Sequence, residues 1–259
     1  MIKIIFFDLD GTVLSHKTNS VPQSTVKAFH VLHDKGIKLF TCTGRNLQEI
    51  EDLKPLHVLQ FDGHALFTGH YCFDNTSTIF DCPMDKEDIQ EILHYSDIHQ
   101  IPIVSCTNED MYMNMHTDTV RIAQNAVNSP LPPLGDINRS LTERVYQITA
   151  YLNIQQQEDM LSHLHHTLMT RWNPYGVDFT NIHGSKGIAI EKILDHYSIN
   201  KKEAMCFGDG FNDIDMMHAC GISVCLGNGE EEVKKQASYV TDDIDEDGLY
   251  KALLHYNVL

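Results

Sequence analysis

Two aspartates follow an apolar run near the start of the chain. The run is Ile4 to Phe7, and Asp8 and Asp10 come directly after it in the stretch IIFFDLDGTVL. Side chains alternate along an extended strand, so these two carboxyl groups should project to the same side. Such a pair is costly unless a cation or a shared proton offsets the repulsion. The residues DLDGT, 8–12, also suit an ordinary turn. The pair of aspartates by itself therefore only suggests metal or proton chemistry.

A second polar site lies in FTCTGRN, 40–46, where a predicted strand gives way to a predicted helix. The Thr43 hydroxyl and the Gly44 amide are groups that hold phosphoryl oxygens. A threonine that caps the helix is the commoner explanation of such a site when it stands alone. Cys42 raises the alternative of thiol chemistry, but its C-x-x-R spacing is too short for the loop of cysteine phosphatases. We therefore assign Cys42 to the core.

A lysine stands at an unfavourable place in HGSKGIAIEKIL. Ser185 suits a helix N-cap, which puts Lys186 at the positive end of the helix dipole. A cation there is disfavoured by about 0.3–1 kcal/mol, so helix stability does not explain this residue. An anion shared between the ammonium group and the helix start would explain it. A solvated lysine in a surface loop remains the alternative.

An acidic cluster follows another predicted strand in MCFGDGFNDIDMM, 205–217. Its polar members are Asp209, Asn212, Asp213 and Asp215. Hard oxygen ligands of this kind suit Mg²⁺, which binds one or two carboxylates together with substrate phosphate. Asp213 and Asp215 also suit the first turn of the helix that follows, and we accept that explanation for Asp215. Asp209 precedes the helix and needs another one.

The elements that must position these sites alternate in type. An apolar strand at 2–7 is followed by a helix from Pro22 to Gly36, a strand in IKLFTCTG and a third short apolar stretch, HVLQF, at 57–61. After residue 183 come a helix, two strands and a final helix in DGLYKALLHY. This alternation predicts an α/β fold with a parallel sheet. All four sites then lie beyond the carboxyl ends of strands, the edge where open sheets bind ligands.

Residues 82–183 have a different pattern. CPMDKEDIQEILHYSDIHQIPIVSC predicts a helix and a strand, and RVYQITAYLN, QQEDMLSHLHHTL and TRWNPYGVDFTNI predict strand, helix and strand. The run HLHH, 163–166, is predicted as a partly exposed helix face rather than a metal site. We therefore divide the chain into a first core segment (1–81), an inserted α+β domain (82–183) and a second core segment (184–259).

The four motifs together resemble those of one enzyme superfamily. FDLDGTVL, TCTGR, SKG and GDGFNDIDM stand in the order and approximate spacing of haloacid dehalogenase-like phosphatases, specifically the Cof-type branch with a large inserted cap. The resemblance covers nearly all of the core, and the combination is highly specific, whereas the cap carries much less of it. It implies a doubly wound, mostly parallel, Rossmann-like sheet with the insert as the cap domain.

The resemblance also implies roles for residues. Asp8 would be the nucleophile that forms an aspartyl-phosphate, and Asp10 would protonate the leaving oxygen and then activate water. Mg²⁺ would be bound by the Asp8 carboxylate, the Asp10 backbone carbonyl and Asp209, with Asp213 positioning metal-bound waters. Gly11 and Thr12 would orient Asp10. The phosphate-binding set would be Thr43, Gly44, Lys186 and Asn212, and the candidate residues for the substrate side are Arg45 and His183.

Two positions depart from the pattern of this branch. Asp62-Gly63 stands where Asn-Gly is common, and His183 occupies a position that is usually glycine. Neither touches the proposed chemistry. Both are expected to alter how the inserted cap and the core meet.

The overall composition argues against polyanionic partners. The chain of 259 residues has 19 Lys and Arg against 36 Asp and Glu, a formal charge of -17. Such a charge repels nucleic acid and anionic membranes at long range. Seven cysteines without a framework spacing suggest reduced thiols and a cytoplasmic location. We expect no signal peptide, no membrane span, and a monomer or small homo-oligomer.

The leading hypothesis is a magnesium-dependent phosphatase of a small phosphorylated metabolite such as a sugar phosphate. A cap of this size is expected to restrict access, which argues against protein or nucleic-acid phosphates. A phosphotransferase or phosphomutase would use the same intermediate and is not separated by the motifs. A non-catalytic regulator, either receiver-like or metabolite-binding, is the third alternative, although a receiver is much shorter and has no insert.

Overall fold

The chain forms two compact units. A computed structural model describes residues 1–126 and 129–259. Met1–Asp81 and Gly184–Leu259 make up the first unit, and Cys82–His183 make up the second. Within the described residues, the sheet of the first unit has eight strands and that of the second has five. No helix in this part of the chain is both long enough and apolar enough to cross a membrane.

The regular elements follow one another closely. In chain order the strands are β1 (Ile4–Phe7), β2 (Lys38–Cys42), β3 (Gly63–Leu66), β4 (Tyr71–Asp74), β5 (Thr78–Asp81), β6 (Ile103–Thr107), β7 (Met111–Met113), β8 (Val145–Tyr151), β9 (Thr167–Arg171), β10 (Gly176–Asn181), β11 (Ala204–Gly208), β12 (Ile222–Cys225) and β13 (Tyr239–Val240). The α-helices are α1 (Gln23–Asp34), α2 (Leu47–Asp52), α3 (Lys86–His99), α4 (Asp118–Ala126), α5 (Ile154–Leu161), α6 (Lys186–Tyr197), α7 (Ile214–Ala219), α8 (Glu231–Gln236) and α9 (Gly248–His255). Short 3-10 helices cover Lys54–Val58, Phe67–Gly69, Ile137–Leu141, Lys201–Glu203, Phe211–Asp213 and Ile244–Glu246.

The first sheet is mostly parallel, as predicted. Its strand order is β13-β12-β11-β1-β2-β3-β4-β5, and every neighbouring pair from β13 to β3 is parallel. The hairpin of β4 and β5 extends it in the antiparallel sense. The second unit has an antiparallel sheet in the order β7-β6-β8-β10-β9. The predicted α/β class with an α+β insert is confirmed.

Strand β1 lies at the centre of the first unit and is covered on both faces. All four side chains of Ile4–Phe7 are fully buried. Phe6 belongs to a cluster that includes Ile190 of α6. Phe7 points to the other face, where its ring lies 4.9 Å from that of Phe29 in α1. Helices therefore pack on both sides of the sheet, which is the doubly wound arrangement.

Register brings the motif residues to one edge of this sheet. Phe7 stands opposite Thr41 in β2 and opposite Phe207 in β11. Because the three strands are parallel, the residues that follow them emerge at the same carboxyl edge. Asp8 and Asp209 are the first of these residues after β1 and β11.

The third apolar stretch of the sequence, 57–61, does not form a strand. Lys54–Val58 form a 3-10 helix with Pro55 in its first turn, and β3 begins later, at Gly63. Proline suits a first turn because that position needs no N–H donor. A Cβ at Gly63 would lie 2.3 Å from the ring of Phe40, so only glycine fits where β3 starts. An apolar run of five residues does not by itself distinguish a strand from a helical segment.

The single strand predicted for 170–182 is two strands of a hairpin, β9 and β10. Asn173 makes the turn between them, because its side-chain oxygen accepts hydrogen bonds from the N–H groups of Tyr175 and Gly176. A Cβ at Gly176 would lie 2.3 Å from the ring of Trp172. The Trp172 ring therefore packs against Gly176 on the other side of the hairpin turn. The sequence NPYG, 173–176, is typical of a turn and interrupts a run that otherwise resembles a strand.

The HLHH run, 163–166, lies after α5 and not on it, so the predicted helix face is wrong. The carboxylate of Asp88, which is 1% exposed, accepts hydrogen bonds from His165 N (3.0 Å), His166 N (2.8 Å) and Thr167 Oγ1 (2.6 Å). Burial alone would raise the pKa of Asp88, but these bonds hold it below its ordinary value. The backbone of this run is anchored by one buried carboxylate.

Candidate active site

A buried ammonium group joins two carboxylates at the carboxyl edge of the sheet. Lys186 is the first residue of α6 and is fully buried, and Nζ lies 2.6 Å from Asp8 Oδ1 and 2.6 Å from Asp213 Oδ1. Ser185 caps the helix by accepting a hydrogen bond from Ile188 N. The anions that offset the lysine at this helix start are thus the carboxylates of two distant segments.

The pKa values of these groups reflect a shortage of positive charge. Burial lowers the pKa of Lys186, but Asp213 and Asp8 more than offset this and raise it above its ordinary value. Burial raises the pKa of Asp8 well above its usual value despite the opposing effect of Lys186. A bound cation would favour the charged form of this carboxyl group.

Three carboxylates are close enough to share one ion. Asp8, Asp209 and Asp213 each offer an oxygen, and these oxygens all lie within 4.8 Å of one another. Asp213 Oδ2 also accepts hydrogen bonds from the backbone N–H groups of Asp209 and Gly210, both at 2.9 Å. Burial raises the pKa of Asp209 to about 6. Asp213 therefore holds the loop that presents Asp209.

The DGT turn positions Asp209, whereas the sequence predicted that it orients Asp10. Thr12 Oγ1 donates a hydrogen bond of 2.6 Å to Asp209 Oδ1. Gly11 has φ +83, and a Cβ there would lie 2.2 Å from Asp209 Oδ2, so glycine is required. Asn228 Nδ2 donates to the Gly11 carbonyl at 2.8 Å, a contact that sequence reasoning missed.

The donor set fits a divalent cation. Four carboxylates face two cationic side chains, which leaves two negative charges in excess; these groups are Asp8, Asp10, Asp209, Asp213, Lys186 and Arg45. In the described part of the chain, no group donates a hydrogen bond to the Asp10 carbonyl oxygen. Asp8, Asp209 and this carbonyl are hard oxygen donors of the kind that Mg²⁺ binds.

Arg45 pairs with Asp10. Its Nε lies 2.7 Å from Asp10 Oδ2 and its Nη2 lies 2.8 Å from Asp10 Oδ1, a bidentate geometry. Each side chain is 28% exposed. The sequence suggested Arg45 as a substrate contact, but in this structure its guanidinium fixes the orientation of Asp10.

The Thr43 loop has polar groups free to bind a ligand. Thr43 is buried, and its Oγ1 accepts a hydrogen bond from Arg45 N, which leaves its own hydrogen available. Gly44 N–H has no acceptor among residues 1–126 and 129–259. Helix α2 is capped instead by Asn46, which accepts from Glu49 N at 2.8 Å. The alternative that Thr43 merely caps this helix is therefore wrong.

Two of the predicted site residues, Asn212 and His183, have exposed side chains. Asn212 is exposed, and its Oδ1 lies close to Gly210. His183 is exposed, and its backbone N–H donates to Asn181.

Asp215 has a contact that the sequence did not indicate. It lies in the first turn of α7, as predicted, and its Oδ2 also accepts a hydrogen bond of 2.8 Å from Gly187 N. This bond ties the start of α7 to the start of α6, beside Lys186. No local pattern predicts a pairing between segments 28 residues apart.

Cys42 and Asp62 have structural surroundings. Cys42 is fully buried, and burial raises the pKa of its thiol well above the usual value. A thiol of this kind is a poor nucleophile, which agrees with its assignment to the core. The Asp62 carboxylate accepts a hydrogen bond of 2.8 Å from Leu39 N, and Gly63 is the first residue of β3. Asp62-Gly63 therefore precedes the third strand, whereas the Asn-Gly pair to which the sequence analysis matched it was expected after that strand.

Comparison with known proteins gives matches along the whole chain. A family model for haloacid dehalogenase-like hydrolases matches residues 5–253. The solved structure of BT1666 from Bacteroides thetaiotaomicron, described among phosphatases of this superfamily, is 32% identical with a TM-score of 0.90 and covers 100% of this chain and 96% of its own. That of BT4131, described as a subclass IIB sugar phosphatase, is 29% identical with a TM-score of 0.85 and covers 99% and 100%. Pyridoxal phosphate phosphatase YbhA of Escherichia coli is 27% identical over 95% of this chain and 96% of its own length.

Proposed function

Because the chain belongs to the haloacid dehalogenase-like hydrolase family, we propose that it is a magnesium-dependent phosphatase of a small phosphorylated metabolite, acting through an aspartyl-phosphate on Asp8. The observation that carries the proposal is the ammonium of Lys186, 2.6 Å from both Asp8 and Asp213. A carboxylate approaches a phosphate dianion only when the repulsion between them is neutralised. This lysine provides part of that neutralisation in a fully buried position.

In the first step, Asp8 attacks phosphorus in line, and the bond between phosphorus and the leaving oxygen breaks. Asp10 gives its proton to that oxygen. Lys186, the Thr43 hydroxyl and the Gly44 amide hold the phosphoryl oxygens. Mg²⁺ held by Asp8, Asp209 and the Asp10 carbonyl would supply further charge neutralisation.

In the second step, Asp10 takes a proton from water, and the water oxygen attacks phosphorus. The bond between Asp8 and phosphorus breaks, which releases inorganic phosphate and restores both carboxyl groups. Asp213 keeps the 209–210 loop in place through two hydrogen bonds to its backbone. Thr12 keeps the Asp209 carboxylate oriented.

A sugar phosphate is the substrate class that we favour. The similarity to BT4131, described as a sugar phosphatase, supports it. YbhA is named for pyridoxal phosphate, so an aromatic phosphate ester belongs in the same test. The formal charge of -17 argues against polyanionic substrates. The motifs do not separate hydrolysis from transfer to an acceptor hydroxyl.

The test is phosphate release from a panel of sugar phosphates and pyridoxal phosphate, with Mg²⁺ or with EDTA. We expect release without any acceptor, and its loss with EDTA or in Asp8→Asn, while thermal unfolding shows the variant folded. Asp118→Asn, whose carboxylate is 94% exposed, is the matched control and should keep full activity. Release that requires an added acceptor would indicate a transferase, and saturable binding without turnover would indicate a regulator.

A further inference from the structure

A run of left-handed residues follows β3. Phe67, Thr68 and Gly69 have φ values of 51, 54 and 89. Glycine adopts this conformation freely, but a β-branched residue resists it because of its Cβ substituents. At Gly69 the choice of residue is explained, because a Cβ would lie 2.3 Å from the carbonyl oxygen of Ser185. At Thr68 the backbone alone would favour glycine or asparagine.

This run holds the loop that carries Thr43 and Gly44. Phe67 N donates to the Arg45 carbonyl at 3.2 Å, and Thr68 N donates to the Thr43 carbonyl at 2.8 Å. The two bonds lie on either side of Gly44. The left-handed backbone is therefore part of what keeps the Gly44 amide in place.

The Thr68 side chain lies over Gly44. A Cβ built on Gly44 would be 3.5 Å from Thr68 Oγ1, an ordinary contact distance. The side chain is half-buried, and no group in residues 1–126 or 129–259 forms a hydrogen bond with this hydroxyl. The Gly44 N–H beside it likewise has no acceptor in that part of the chain. Strained backbone of this kind clusters at ligand-binding sites, and here it stands beside two donors that are available to a ligand.

We propose that the Thr68 hydroxyl binds the phosphorylated substrate, donating a hydrogen bond to a non-bridging phosphoryl oxygen beside the Gly44 amide. The inference rests on the proposed function and adds a ligand-binding residue to it. It explains why a β-branched residue occupies a left-handed position. The hydroxyl is needed for binding, and the surrounding hydrogen bonds keep the strained backbone in place.

The test compares three substitutions at this position. Thr68→Val removes the hydroxyl but keeps the shape and the strain, Thr68→Ser keeps the hydroxyl, and Thr68→Gly removes both the hydroxyl and the strain. Binding of inorganic phosphate is measured by calorimetry with Mg²⁺, and kcat/KM is measured with a sugar phosphate. Thr78→Val, at an exposed threonine of β5, is the matched control.

We expect Thr68→Val to lower phosphate affinity and kcat/KM about 10- to 100-fold, as loss of a hydrogen bond to a charged group does. Its Tm should stay near that of the wild type. Thr68→Ser should stay within about 3-fold. Thr68→Gly should lose binding as Thr68→Val does while its Tm equals or exceeds that of the wild type. A structural role alone would not combine lost binding with unchanged or raised stability.

The outcomes separate this inference from the proposed function. If Thr68→Val binds phosphate and turns over substrate as well as the wild type does, the inference is overturned while the proposed phosphatase activity stands. The same holds if Thr68→Ser loses as much binding and turnover as Thr68→Val. If the wild type binds phosphate but hydrolyses no ester, the proposed function fails and the binding series still decides the role of Thr68. If the wild type neither binds phosphate nor hydrolyses an ester, both are overturned.

Discussion

Replacing Arg45 by methionine should lower kcat/KM far more for an alkyl phosphate than for an aryl phosphate. The guanidinium makes two short contacts, of 2.7 Å and 2.8 Å, with the two oxygens of Asp10. These contacts fix the carboxyl group that is proposed to protonate the leaving oxygen. An alkoxide needs that proton as it departs, whereas a nitrophenolate departs without it.

The size of the effect follows from these two bonds. Each charge-assisted hydrogen bond contributes about 1.5–3 kcal/mol, and partial exposure of the pair reduces this. Taking about half of the sum gives roughly 1.5–3 kcal/mol for holding Asp10, which corresponds to about 10- to 150-fold in rate. We expect a loss of this size with the alkyl ester and less than about 5-fold with the aryl ester. Arg45→Lys keeps the charge and one donor direction, so its loss of kcat/KM with the alkyl ester should be smaller than that of Arg45→Met.

The assay is the ratio of kcat/KM for a sugar phosphate and for nitrophenyl phosphate, in the wild type, Arg45→Met, Arg45→Lys and Asp10→Asn. kcat/KM reports only steps up to formation of the covalent intermediate, so water attack does not enter the ratio. Arg45→Met should reproduce the leaving-group preference of Asp10→Asn. Equal losses with both esters would refute this reasoning and return Arg45 to the role of a direct substrate contact.

Two further predictions concern stability. Burial lowers the pKa of His64 from its ordinary 6.5 to about 4. The unfolded chain binds more protons than the folded chain at His64 between these values, so the contribution of His64 to the free energy of unfolding should fall by about 3 kcal/mol from pH 7 to pH 4. The raised pKa values of Asp8 and Asp209 act in the opposite direction, so the quantity to measure by urea titration is the difference in stability between the wild type and His64→Gln at each pH; a difference that does not change with pH would contradict the prediction. Asp88→Ala removes a buried acceptor of three hydrogen bonds and should cost about 3 kcal/mol. Asp88→Asn should cost less, and Asp118→Ala at an exposed site should change stability by less than about 0.5 kcal/mol; a loss in Asp88→Ala no larger than that control would refute the anchoring role.

The sequence predicted the fold and which segments meet, because both follow from local patterns. A continuous apolar run indicates a buried parallel strand, and polar residues after parallel strands must emerge at one edge. The structure accordingly brings Asp8, Lys186 and Asp213 into contact. The structure of the apolar stretch at 57–61 could not be predicted, because five residues carry no periodicity that separates a strand from a helical turn.

The partners of individual side chains could not be predicted in the same way. Thr12 contacts Asp209, which is 197 residues away, and Arg45 contacts Asp10, 35 residues away. Such pairs depend on strand register and rotamers rather than on spacing along the chain. The left-handed conformation of Thr68 could not be predicted from the sequence either, because threonine disfavours that conformation.

The most direct test of the central claim is to identify the residue that carries phosphate during turnover. Asp10→Asn is mixed with nitrophenyl phosphate and Mg²⁺, quenched, and treated with borohydride, which reduces an acyl phosphate to an alcohol. Peptide mass spectrometry then locates the reduced residue. We expect homoserine at position 8 and none in the double variant with Asp8→Asn. Homoserine at another position would contradict the assignment of Asp8 as the nucleophile. So would phosphate release by the wild type if neither the wild type nor Asp10→Asn yields a reduced carboxyl group.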